Sequence, residues 1–74
     1  MHVTAKAIVH LDGNRPSLEG LICKRRGRMI IAGHYVLRDA KILQGDGPDI
    51  TTVKIDGEVH VPVDRVVFVE VLGR

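Results

Sequence analysis

Aromatic side chains are almost missing from this chain of 74 residues: there is no Trp, and Tyr35 and Phe68 are the only rings besides histidine. That leaves little material for reading nucleic-acid bases by rows of stacked rings. A single cysteine, Cys23, excludes an internal disulfide. No apolar run reaches the roughly 18 residues of a membrane span, and the first residues hold no apolar signal segment. The sequence therefore predicts neither a membrane helix nor export by a signal peptide.

Catalytic material is equally thin. The one serine, Ser17, stands beside Pro16 in a stretch of turn residues. Cys23 closes an apolar run, the setting of a small buried hydrophobe rather than of a reactive thiolate. His2, His10, His34 and His60 are scattered, without C-x-x-C, H-x-H or H-E-x-x-H spacing. His10 and His60 read as solvated residues on polar strand faces. Asp46 and Asp49 lie in a Gly-rich loop but fall short of a calcium loop, and no glycine pattern matches a phosphate-binding loop. The expectation is a protein that is not an enzyme and uses no cofactor, metal or small-molecule substrate.

What is present is branched and apolar. Eleven Val and seven Ile stand against six Leu, and β-branched side chains favour pleated surfaces over helices. Eleven basic and nine acidic residues give a net charge of +2, too mild for a histone-like protein. No window shows a helical apolar stripe, so the fold class read here is all-β, without substantial helix, in one domain over residues 1–74.

Val3–Leu11 alternates, with Val3, Ala5, Ala7, Val9 and Leu11 on one face and Thr4, Lys6 and His10 on the other, where Ile8 breaks the pattern. Asp12-Gly13-Asn14-Arg15-Pro16 ends that strand. Strands follow at Leu18–Cys23, Met29–Ala32 and His34–Arg38, with Gly33 as a bend and Ala40–Leu43 as a continuation or a new strand. Gln44–Asp49 is the clearest loop. Asp56-Gly57, between Ile50–Ile55 and Glu58–Val63, predicts a two-residue hairpin. Val63-Asp64-Arg65 connects into a last strand, Val66–Leu72. Turns every 8–12 residues predict a small, strongly bent five-stranded antiparallel barrel of the Sm or SH3 type. A barrel so small tends to leave open edges and to gain stability from neighbours.

Two surfaces stand out as candidates. Lys24, Arg25, Arg26 and Arg28 make a basic turn, suited to phosphates, to an acidic protein partner, or to simple solvation that keeps an edge from aggregating. On the last strand, Val66, Phe68, Glu70 and Leu72 share a face. Glu70 marks that face as outside the deep core, which makes it a candidate partner interface.

Several stretches resemble the Sm and Sm-like family over residues 7–72. Val9-His10-Leu11-Asp12-Gly13 with Glu19-Gly20-Leu21 is similar to the opening of the first Sm motif. His34-Tyr35-Val36-Leu37-Arg38-Asp39-Ala40 resembles its Asn-Leu-x-Leu-x-Asp-Ala close, and Val61–Phe68 resembles the second motif. The resemblance implies a barrel that assembles edge to edge. It does not extend to the family's base-holding residues: Pro62-Val63 replaces Arg-Gly, and His34 stands at the Asn position. The chain also resembles short β-rich proteins of tailed bacteriophages, in Gly33-His34-Tyr35-Val36-Leu37 and Gly57-Glu58-Val59-His60-Val61-Pro62. These readings together lead to an expected assembly module, a virion component such as a minor capsid, decoration or connector protein. Its partners would be itself or a larger assembly such as a capsid, in the virion or the bacterial host cytoplasm. An Sm-like oligomeric RNA-binding protein using the basic hairpin is the alternative expectation.

Overall fold

The computed structural model describes residues 3–13, 15–45 and 47–73. Asn14, Asp46 and His2, which enter the turn, loop and histidine readings above, lie outside the described residues. Among the described residues seven strands form one antiparallel sheet: β1 Val3–Leu11, β2 Ser17–Lys24, β3 Ile30–Ile31, β4 His34–Gln44, β5 Thr51–Lys54, β6 Val59–Pro62 and β7 Val66–Gly73. Short 3-10 turns occupy Gly47–Asp49 and Val63–Arg65. Among the described residues no helix is long and apolar enough to cross a membrane.

The seven strands fill five positions. β7, β1, β2 and β4 lie side by side, and β3 takes the place of β2 beside the first residues of β4. β5 and β6 then lie end to end along the other side of β4. The all-β, strongly curled, five-position sheet expected from sequence is what the chain adopts. Its shape is a half-barrel, compatible with a small β-barrel fold.

The Asp56-Gly57 hairpin is not there. β5 and β6 run in the same direction, both antiparallel to β4, so the two residues interrupt one long strand. Lys41 pairs with Lys54 while Leu37 pairs with Val59, which shifts the register by one residue across the break. Gly57 has φ 82°, but Asp56 is not among the positive-φ residues, whereas a type I′ hairpin turn needs positive φ at both. The glycine serves a bulge-like kink instead.

That kink is part of one bend crossing the sheet. On the opposite side of β4, the β2 register shifts between Glu19 and Leu21. Between the two shifts, Asp39 takes φ 51°, a left-handed conformation that Asp tolerates better than most residues. Gly20 faces this point. A Cβ there would sit 3.0 Å from the Arg38 carbonyl oxygen and 3.1 Å from Ala40 Cα. The bend thus requires the absence of a side chain at position 20, and it keeps β4 unbroken from His34 to Gln44.

Inside the curl lie Ala7, Val9, Leu18, Ile22, Leu37, Ala40 and Val61. The alternation of β1 places Ala5, Ala7 and Val9 inward as expected. Shorter than expected is the Met29–Ala32 strand, because Ala32 (φ 50°) and Gly33 (φ 75°) turn the chain back immediately after Ile31. Both central residues are left-handed, as a type I′ turn requires.

Candidate functional site

The two outer positions of the sheet are its most exposed apolar parts. β7 pairs with β1 on one side and, among the described residues, with nothing on the other. Among the described residues β5 and β6 pair only with β4. Every residue of β5 is exposed, Val53 and the preceding Ile50 included. On β7, Val67, Phe68, Val71 and Leu72 are all roughly half exposed or more. Unpaired strand edges of this kind present free backbone donors and acceptors next to apolar side chains.

Of the last-strand residues singled out from sequence, Phe68, Glu70 and Leu72 are exposed, while Val66 packs against the core with Val69. A register irregularity between His10 and Leu11 accounts for the difference, since it places Val66 opposite Leu11 and breaks simple alternation. Val67 and Val71 belong to the exposed set as well. Their signal in the sequence was weak, because both faces of this strand are apolar.

His10 is not a freely solvated residue. Its ring stacks on Phe68 with centroids 4.2 Å apart. Its Nε2–H donates to Glu70 Oε1 at 2.6 Å. A carboxylate only accepts, so Nε2 carries a proton; in the neutral ring Nδ1 is then the acceptor for the Ser17 hydroxyl at 3.1 Å. The Ser17–His10–Glu70 chain joins β2, β1 and β7, and it fastens the exposed strand to the sheet. Pairing of a hydroxyl with an imidazole that is oriented by a carboxylate is also the geometry of an activated nucleophile. Here the carboxylate is half exposed, and one ring face is covered by Phe68. No local spacing announced this group, because His10 and Glu70 lie 60 positions apart.

A second polar group braces the bend. Arg38 reaches Glu58 Oε2 through Nε and a terminal nitrogen, both at 3.3 Å, and His60 Nε2–H donates to Glu58 Oε1 at 3.2 Å. The His60 hydrogen bond first, and that of Arg38 second, hold the Glu58 carboxyl below its ordinary range. A depressed carboxyl stabilises the fold above its unfolded value, and that contribution is lost as pH falls through the folded value. In a carboxyl-detected NMR titration, His60→Ala should raise the Glu58 midpoint more than Arg38→Ala does. An unchanged midpoint in both variants would contradict the brace.

The basic turn lies at one end of β2. Arg25 and Arg28 form a bridge, with Arg25 N–H donating to the Arg28 carbonyl at 2.8 Å and the reverse bond at 3.0 Å. Arg25, Arg26 and Arg28 are exposed, whereas Lys24 is half-buried at the strand end. Cys23 is buried. Among the described residues no three His, Cys, Asp or Glu side chains converge in a way that would hold a metal ion.

Comparison with protein-family models, with curated proteins and with solved structures finds no match.

Proposed function

We propose that this chain is a non-enzymatic assembly module that joins copies of itself, or a larger protein assembly, through the two open edges of its sheet. One observation carries the reading: among the described residues both outer strands are unpaired on their outer side and expose apolar residues, Ile50 and Val53 on one, Val67, Phe68, Val71 and Leu72 on the other. Burying such side chains is favourable by about 25 cal/mol per Å². The edges differ in sequence, so a contact between them is head-to-tail and leaves a free edge at each end for the next copy.

The setting proposed is a virion, as a minor capsid, decoration or connector protein. Its support is the resemblance of residues 33–37 and 57–62 to short phage proteins. The basic turn would then orient the module on an acidic surface or on nucleic acid.

Phe68→Asp tests the interface. The side chain is half exposed; the variant loses the stack on His10 but keeps the β1–β7 pairing, so it is expected to retain its far-ultraviolet circular dichroism and to elute as a smaller species in size-exclusion chromatography with light scattering. Unchanged assembly would remove Phe68 from the interface. The non-enzymatic part is tested at Ser17: a fluorophosphonate probe should leave it unlabelled. Labelling that disappears in His10→Ala would show an activated nucleophile instead.

A further inference from the structure

The basic turn, β3 and the start of the β3–β4 turn border two adjoining hollows. One hollow, of about 540 Å³, is lined by Arg25, Arg26, Arg28, Ile30, Ile31 and Ala32. A second, of about 400 Å³, is lined by Arg28, Met29, Ile30 and Tyr35. Arg28 and Ile30 form the wall shared by both. The first is cationic and the second is apolar with one phenol ring.

Three features mark the cationic hollow as more than a solvated turn. Arg26 has φ 54° and Gly27 φ 77°, the two left-handed positions of a type I′ turn, where Asn or Gly at the first position would be free of strain. An arginine held in that conformation is strained, and residues in such conformations cluster at functional sites. Next, the ion pairs among the described residues use Arg38, Arg65, His10 and His60, so Arg25, Arg26 and Arg28 keep their charge for something else. Glu58 lies on a neighbouring hollow that Arg25 also borders, but its carboxylate is already taken by Arg38 and His60. Finally, all three are arginines. Their planar forks match phosphate oxygens in pairs.

We propose that this end of the sheet is a binding site for single-stranded nucleic acid, with a backbone phosphate held by Arg25, Arg26 and Arg28 and the adjoining base laid in the hollow of Tyr35 and Met29. Tyr35 and Met29 pack in part against the core and also line the hollow beside Arg28; an acidic protein would answer the three charges without using that apolar hollow. A paired duplex keeps its bases stacked on each other and could not offer one to Tyr35. The site is separate from the positions at which the Sm resemblance would seek a base. There, His34 donates Nδ1–H to the Ala32 carbonyl at 2.9 Å, and Pro62-Val63 carries no charge. The proposal stands apart from edge-to-edge assembly, since neither β5 nor β7 contributes to the two hollows.

Fluorescence anisotropy with a labelled thymidine oligonucleotide, at several salt concentrations, tests it on the full chain. The wild type should bind at low salt and weaken as salt rises, with the logarithmic slope growing by about 0.7 for each phosphate contact. Replacing Arg25, Arg26 and Arg28 together by Ala should flatten that slope. Tyr35→Leu should weaken binding about tenfold and leave the slope as it was, with Tyr35→Phe restoring affinity. Circular dichroism of each variant separates loss of binding from loss of fold. Failure of the wild type to bind the oligonucleotide at low salt would overturn the proposal. So would binding that ignores Tyr35 and is displaced by poly-glutamate as readily as by the unlabelled oligonucleotide, an outcome that assigns the arginines to an acidic protein.

Discussion

Val53→Asp and Val71→Asp, each unable to assemble alone, should form a two-copy complex when mixed. The expectation follows from a head-to-tail contact between unlike edges. Val53 lies on β5 and Val71 on β7, both roughly half exposed, so neither carboxylate enters the core. A charge placed in the centre of an apolar contact must be desolvated without a partner, which is enough to abolish a contact of this size. Each variant then retains one sound edge. Val53→Asp offers its β7 and Val71→Asp offers its β5, so one contact forms between them and growth stops. A contact between like edges predicts something different: a β7-to-β7 dimer would survive in Val53→Asp alone. Native mass spectrometry of the variants, singly and mixed with one isotopically labelled, reads the outcome directly. Complementation in the mixture would establish the polarity of assembly as well as its two surfaces.

Leu37→Ala should remove about 2–5 kcal/mol of folding stability. A chain of this length holds only about 4–11 kcal/mol in all, so the variant would be largely or wholly unfolded at moderate urea. Leu37 is fully buried and stands where β4 is flanked on both sides, paired with Ile22 of β2 and with Val59 of β6. Truncating it leaves a void among the core side chains packed inside the curl. Val67→Ala is the control, since Val67 is 63% exposed and its loss should shift the urea midpoint little. A Leu37→Ala midpoint close to that of Val67→Ala would mean that the core does not lie inside this curl.

How far the sequence spoke for the structure differs from element to element, for identifiable reasons. β1 was legible because Ala5, Ala7 and Val9 face one continuous interior, and a period of two survives wherever one face is buried. The basic turn was legible because four charges within five residues have no place in a strand interior. Asp56-Gly57 misled because a glycine at positive φ serves a hairpin and a bulge alike. What decides between them is the free side of β4, which offers pairing to both flanking segments and lies outside any local window. The exposed residues of β7 were legible in part. Phe68, Glu70 and Leu72 are exposed, but the irregularity opposite Leu11 turned Val66 inward and left Val67 and Val71 outside. The Ser17–His10–Glu70 chain had no local signal at all. It exists because β1 pairs with both β2 and β7, bringing the start of one strand and the middle of another to the same histidine.

These observations also explain how small parts hold the open sheet together. The curl needs Gly20 bare and Asp39 left-handed, and the resulting half-barrel cannot cover its own first and last positions. His10 secures β7 from within the sheet by stacking and hydrogen bonding, while the outer edge of β7 has no strand beside it among the described residues.

Native mass spectrometry of the wild-type chain over a range of concentrations, before and after nuclease treatment, tests the central claim most directly. Assembly through open edges predicts multimers that grow with concentration and survive nuclease. A monomer at every concentration would contradict self-assembly through these edges, and a multimer that falls apart with nuclease would show that nucleic acid, not the sheet edges, holds the copies together.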